Sequence, residues 1–315
     1  MTADRAPALP VIVVAGPTAG GKTELAVELA RRLGGEILSA DSRQIYRGLD
    51  AGTAKPELDA RGRLEGVPFH FVSIADPRET FDAGTFGRLA RERAAQIRAR
   101  GSAVIAAGGT GLYLKAFLHG LSELPKADPA FRGRLMARAE KNPDPKAWLH
   151  RLLAQVDPAA AREIPAGNIQ RVVRALEVRE LSGRPFSELR ALAPRPEALD
   201  FTAFRIEWPA PVLRERIERR ARKMWPRMLE EARGLAERYR GDEPGFQSLG
   251  YPEALAAVRG TLSPEEGLAR MIKATHAYAK RQRTWFRHQL DAVELPGAST
   301  REMADRAMAR LEAFR

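Results

Sequence analysis

The clearest chemistry in the sequence lies in Gly16-Pro17-Thr18-Ala19-Gly20-Gly21-Lys22-Thr23. Glycines at this density let a backbone curl tightly and turn several N–H groups inward, toward phosphate oxygens. Lys22 is placed to reach terminal phosphates, and the Thr23 hydroxyl is a ligand type for Mg²⁺. The helix expected to follow adds the positive end of its dipole. Gly16 to Thr23 therefore read as a binding loop for a polyphosphate or a diphosphate, with Thr23 as the candidate metal ligand. A ligand-free glycine turn is the plain alternative.

Four further stretches carry groups that could act beside such a loop. Asp41-Ser42-Arg43-Gln44-Ile45-Tyr46, followed by Gly52-Thr53-Ala54-Lys55-Pro56, is dense in polar residues. Asp41 can serve as an acidic partner for Mg²⁺ or water, or as a general base for an incoming nucleophile. It can also simply close an Asx turn. Gly108-Gly109-Thr110-Gly111 has glycines that admit a ligand close to the backbone, and Thr110 can donate to a phosphate or substrate. Asn168 to Glu177 reads as an amphipathic helix with Gln170, Arg171 and Arg174 on its polar side. Lys280-Arg281-Gln282-Arg283-Thr284-Trp285-Phe286 interleaves cations and aromatics, a pattern suited to single-stranded nucleic acid, although Trp285 and Phe286 are also ordinary core residues. The five histidines show no metal-ligand spacing.

The elements that must hold these residues are an alternation of strands and helices. Val11 to Ala15 forms a first strand, followed by the glycine loop and a helix from about Glu24. Glu36 to Ala40 is a second strand, expected beside the first and ending on Asp41. Phe69 to Ile74 is a third, a helix covers 85–100, and Ala103 to Ala107 is a nearly all-apolar strand of the parallel-sheet kind. This pattern implies an α/β fold with a doubly wound parallel sheet, whose ligands sit at the carboxyl ends of the strands. Between 121 and 199 no strand is expected; helices punctuated by prolines, among them Pro129, Pro145, Pro158, Pro194 and Pro196, form a helical insertion. Phe201 to Trp208 returns to the sheet, 214–240 and 263–290 are long Arg-rich helices, and Ala292 to Leu295 is a last strand. The chain thus divides into a catalytic core, 1–120 with 200–315, and the insertion at 121–199.

Composition narrows the partners. Lys and Arg number 52 against 40 Asp and Glu, a net charge of +12, which suits a polyanion such as nucleic acid. No stretch approaches the roughly 20 apolar residues of a membrane span. The segment Met1 to Pro7 does not read as a signal peptide, and the absence of cysteine excludes disulfides and a cysteine nucleophile, so a cytoplasmic protein without membrane association is expected.

Taken in order and spacing, these motifs resemble those of the tRNA dimethylallyltransferase family. The resemblance spans nearly the whole chain. It includes Gln170-Arg171 with Arg174-Ala175-Leu176-Glu177, Leu249-Gly250-Tyr251, and Lys280-Arg281-Gln282 with Thr284-Trp285. Gly111 stands where relatives often carry a bulkier residue. The family resemblance implies that the loop holds the diphosphate of dimethylallyl diphosphate with Mg²⁺, and that no nucleoside triphosphate is hydrolysed. It implies Asp41 as the base that takes a proton from adenine N6 at adenosine 37 of tRNA, with Thr110 and Arg132 also lining the reaction channel. It further implies that Asp41, Ser42, Arg43, Gln44, Thr110 and Arg132 touch the tRNA anticodon stem-loop. Gln170, Arg171, Val172, Val173 and Arg174 join them, as do Lys280, Arg281, Gln282 and Arg283. The insertion and the Arg-rich helices would grip the stem-loop, and a monomer is expected. The residues by themselves leave two other enzymes open: an ATP-binding P-loop kinase of a nucleoside or small metabolite, and an isopentenyltransferase acting on free adenine nucleotides. A regulatory nucleic-acid-binding protein with a P-loop is a third reading, against which Asp41 beside the loop argues.

Overall fold

A computed structural model describes residues 10–122, 124–192 and 198–313. In chain order the first elements are β1 (Val11–Ala15), α1 (Lys22–Leu33), β2 (Gly35–Ser39), β3 (Arg63–Leu64), β4 (Val67–His70), α2 (Ala83–Ala99), β5 (Ala103–Gly108) and α3 (Gly111–His119). Five helices follow: α4 (Pro129–Ala139), α5 (Pro145–Val156), α6 (Pro158–Glu163), α7 (Ile169–Ser182) and α8 (Phe186–Leu192). The chain ends with β6 (Phe201–Glu207), α9 (Ala210–Ala236), a 3₁₀ turn at Pro244–Gln247, α10 (Tyr251–Val258), α11 (Pro264–Gln289), β7 (Val293–Pro296) and α12 (Thr300–Glu312). Two compact units result, Met1–Gly120 with Ala198–Arg315, and Leu121–Glu197.

The first unit is built on a seven-stranded sheet in the order β3-β4-β2-β5-β1-β6-β7, parallel except for the β3–β4 pair. The centre is legible in composition: all five residues of β1 are buried, and Ile12 pairs with Ile105 of β5 and with Thr202 of β6. Strands buried on both faces tolerate little but apolar residues. Ile12, Val14, Ile37 and Ile105 pack with Leu25 and Leu29 of α1 and with Met303 and Ala307 of α12. A second core gathers Tyr46, Leu49, Trp225, Met228, Phe246, Tyr251 and Met271. Among the described residues no helix is long and apolar enough to cross a membrane.

Two sequence expectations shift. The second strand does not lie beside the first, because β5 enters between them; crossover connections make spatial order differ from chain order. The third strand ends at His70 rather than Ile74, since Phe71 and Ser73 take left-handed backbone angles, φ 65° and 54°, that break the extended run. The pair Arg63–Leu64 and Val67–Pro68 forms a small hairpin that has only two residues per strand to signal it.

The second unit is helical throughout its described residues. Its prolines mark starts: Asp128, Asp144 and Asp157 each cap a helix whose first residue is proline. Each carboxylate accepts from a first-turn N–H, while proline supplies a preset φ and lacks only a donor that the first turn could not use. Leu135, Leu149, Leu153, Ile164, Val172 and Leu176 form its core. Pro194 and Pro196 lie outside the described residues.

Candidate active site

The turn after β1 curls as its glycines require. Gly16 has φ 152°, and a Cβ there would lie 3.1 Å from the Ile206 carbonyl of β6. Gly21 precedes α1 at φ 93°, and no side chain caps that helix. Its first N–H groups therefore suit an anion, as helix N-termini do. Ala19 holds φ 60°, a costly angle for a residue with a side chain.

Residues far along the chain brace this loop from outside. Trp208 Nε1 donates to the Gly20 carbonyl at 2.9 Å and Arg216 Nε to that of Ala19 at 2.8 Å. Arg220 donates to the Thr18 hydroxyl. The Thr18 N–H donates to Gln282 Oε1 at 2.8 Å, and Lys22 Nζ to the Pro17 carbonyl at 2.8 Å. The Arg216 guanidinium also lies 4.4 Å from the Trp208 ring centre. Burial draws the Lys22 ammonium down to about 8; Asp41 and Glu24 oppose the drop, and Arg220 adds to it.

The loop lines a cleft of about 860 Å³ with Asp41, Gln44, Gly108, Arg216, Arg219, Arg220, Lys223, Tyr278 and Gln282. Asp41 enters it from the end of β2. Its Oδ1 accepts the Arg43 N–H at 2.8 Å, so it closes an Asx turn and lines the cleft at once. The Ser42 N–H donates to Thr110 Oγ1 at 3.0 Å, and Thr110 Oγ1 donates to the Ser42 hydroxyl at 3.2 Å. Thr110 also hydrogen-bonds Tyr278, whose hydroxyl is pushed up to about 12 by burial and by Asp41. Gln44 accepts from the Ser39 hydroxyl at 3.0 Å and donates to the carbonyls of Thr53 and Ala54 at 3.4 and 3.3 Å. Arg43 reaches the Pro244 carbonyl at 3.2 Å.

The other motifs of this unit are largely structural. The Lys55 ammonium donates to the Tyr46 carbonyl and to Ser73 Oγ, closing the loop that follows Asp41. The Gly52 N–H donates to the buried Tyr251 hydroxyl, and Gly250 opens α10 at φ 89°. The glycines after β5 make room for protein: a Cβ would lie 2.1 Å from the Ala40 carbonyl at Gly108, 2.2 Å from Gln282 Nε2 at Gly109 and 2.3 Å from the Trp285 ring at Gly111. Each glycine is thus required by neighbouring protein atoms, while Gly108 also lines the cleft.

In the helical unit Glu177 is fully buried and collects three partners. It accepts from Arg132 Nε and Nη2, both at 2.7 Å, from Arg174 Nη1 at 2.5 Å, and from the Asp128 N–H at 2.8 Å. Burial pushes its carboxyl up, but these donors outweigh that and leave it below the usual carboxylate range. Arg132 and Arg174 are thus held in place while remaining part-exposed. Gln170 and Arg171 are exposed.

Several expected RNA contacts need revision. Val172 and Val173 are buried in the helical core, so their side chains are unavailable to a polyanion. Gln282 is 5% exposed and turned inward, and Arg283 is paired with Glu207 at 2.7 Å. Lys280 and Arg281 are exposed. Arg216, Arg220, Lys223 and Tyr278 escaped the sequence reading as cleft residues. The i, i+4 spacing of Arg216 and Arg220, which puts both on one face, was the available signal; Tyr278 offered none. These arginines face the phosphate loop rather than solvent.

No group of three His, Cys, Asp or Glu side chains able to hold a metal occurs among the described residues. The Thr23 hydroxyl and Asp41 carboxylate are hard oxygen donors, the set that Mg²⁺ supplements with substrate phosphates.

A glycine-rich turn between β1 and α1 of a mostly parallel sheet, with the carboxylate that follows β2 in its cleft, defines a P-loop α/β protein. A family model described as IPP transferase matches residues 44–289, and one described as isopentenyl transferase matches 9–68. The chain is 47% identical to a tRNA dimethylallyltransferase of Anaeromyxobacter dehalogenans, covering 90% of this chain and 93% of that one. It is 41% identical to that of Elusimicrobium minutum, covering 91% and 94%. The crystal structure of a tRNA isopentenylpyrophosphate transferase from Bacillus halodurans superposes with a TM-score of 0.67 at 33% identity, over 96% of this chain and 97% of that one. A eukaryotic dimethylallyltransferase acting on tRNA gives 0.74 at 26% identity, over 95% and 77%. The chain belongs to the tRNA dimethylallyltransferase (IPP transferase) family.

Proposed function

We propose that the protein transfers the dimethylallyl group of dimethylallyl diphosphate to N6 of adenosine 37 in tRNA, releasing diphosphate. The carrying observation is that one cleft holds both the phosphate loop and Asp41, with Arg216, Arg220 and Lys223 around them. In the reaction, N6 attacks the allylic carbon as the carbon–oxygen bond to diphosphate breaks. The N6 lone pair is delocalised into the ring, so attack needs close positioning and a base for the N6 proton. Asp41 takes that proton. The loop N–H groups and Lys22 hold the charge that develops on the departing diphosphate. Thr23 would hold Mg²⁺ with the diphosphate, and the ion would add positive charge at the leaving group. Thr110 fixes the Ser42 backbone beside Asp41. The anticodon-loop base must leave its stack to reach such a pocket. Exposed Lys280, Arg281, Gln170 and Arg171, with Arg132 and Arg174 presented by Glu177, are the candidates for phosphate contact.

The test offers the enzyme radiolabelled dimethylallyl diphosphate with an anticodon stem-loop, with AMP, and, separately, ATP with nucleosides. Label in the stem-loop alone is expected. Label in AMP, or phosphate moved from ATP, would assign the cleft to a free-nucleotide prenyltransferase or a kinase.

A further inference from the structure

We infer that Gln282 is a positioning residue: it fixes the spacing between the loop that holds the leaving group and the segment that carries Asp41. Its side chain is 5% exposed and spans two strand ends. Oε1 accepts the Thr18 N–H of the phosphate loop at 2.8 Å, and Nε2 donates to the Gly109 carbonyl after β5 at 2.8 Å. A primary amide accepts at its oxygen and donates at its nitrogen, so one neutral side chain satisfies both backbone groups.

From Gly109 the connection continues to the base. The next residue, Thr110, donates its N–H to the Ala40 carbonyl at 3.2 Å and accepts the Ser42 N–H at 3.0 Å, on either side of Asp41. At Gly109 the volume a Cβ would fill is taken by Gln282 Nε2, so the turn is shaped to receive the amide. Asp41 and the phosphate loop leave strands that are not neighbours, because β5 separates β2 from β1. Sheet hydrogen bonds fix those strands, but the loops beyond them need their own tie. Gln282 supplies it from α11.

This rests on the proposed prenyl transfer. Displacement at the allylic carbon needs the acceptor, the carbon and the diphosphate in line, and small misplacements cost rate steeply. Loss of the tie should therefore slow the chemical step more than it weakens donor binding, since the loop N–H groups and Lys22 remain.

Gln282→Met keeps length and volume and removes both hydrogen bonds. Single-turnover and steady-state transfer are measured for it, for wild type and for Thr275→Val, a buried change on the same helix that serves as a packing control. The expected result is kcat lower by about tenfold or more per folded molecule, with KM for dimethylallyl diphosphate within about threefold of wild type. Thr275→Val is expected to lower thermal stability and leave kcat unchanged. Hydrogen exchange of the Thr18 amide in the ligand-free wild type adds a readout independent of any variant, with protection expected. An unprotected Thr18 amide, an unchanged kcat, or a loss confined to KM or to the folded fraction would overturn the inference. Wild type inactive in transfer, with Thr18 protected, would instead reject the prenyl-transfer reading and leave the tie in place.

Discussion

In the proposed reaction, Asp41 and Lys22 divide the chemistry between proton and leaving group. Asp41→Asn keeps the Asx turn and removes the base, so transfer should slow by about a hundredfold or more. Binding of dimethylallyl diphosphate should change little; a variant with near-normal single-turnover rate would remove Asp41 from that role. Lys22 makes the pH dependence specific. Burial has lowered its value to about 8, so in the free enzyme it is charged below that pH and neutral above it. Donor affinity, read as kcat/KM, should therefore fall as pH rises through about 8. Bound diphosphate favours the ammonium, so kcat under saturation should hold to higher pH. A kcat/KM flat across that range would contradict the assignment. Both residues were legible because their types and places after strands carry meaning. The bonds of Gln282 to Thr18 and Gly109 were not legible, because no local pattern in the KRQ run says that its last residue faces inward.

At the scale of elements, α11 seats its neighbours in the first unit and α7 does so in the second. A Cβ at Gly111 would meet the Trp285 ring at 2.3 Å, so the ring or the helix that carries it must shift. Gly111→Ala should destabilise by about 1–3 kcal/mol in denaturant unfolding, and wild-type stability would refute the fit. Glu177→Ala removes the acceptor of two guanidinium groups and the Asp128 N–H. Because the arginines can turn to water, the expected cost is about 2–3 kcal/mol rather than that of a fully buried pair. The carboxyl sits below its ordinary value of 4.5, so its contribution is complete above that pH and disappears as acid protonates it. Helices and strands were legible from apolar runs and from caps such as the Asp-Pro starts. Strand order and the partner of each arginine were not, because both are set by interactions between residues far apart in sequence.

The whole molecule carries a net charge of +12, and its use differs from place to place. Arg216, Arg220 and Lys223 face the cleft, Arg283 neutralises Glu207, and Lys280 and Arg281 face solvent. Among these, Lys280 and Arg281 are the ones that should release counterions on binding RNA. The logarithm of stem-loop affinity should fall linearly with the logarithm of salt concentration, and Lys280→Ala with Arg281→Ala should lower the slope by about 1 for each phosphate left without its cation. An unchanged slope would move the RNA face elsewhere. Most direct for the central claim is mass analysis of nucleosides from tRNA incubated with the enzyme and dimethylallyl diphosphate. Prenylated N6 at adenosine 37, absent when Asp41→Asn replaces wild type at the same short reaction time, is the predicted result. Unmodified tRNA beside a prenylated or phosphorylated free nucleotide would contradict the account.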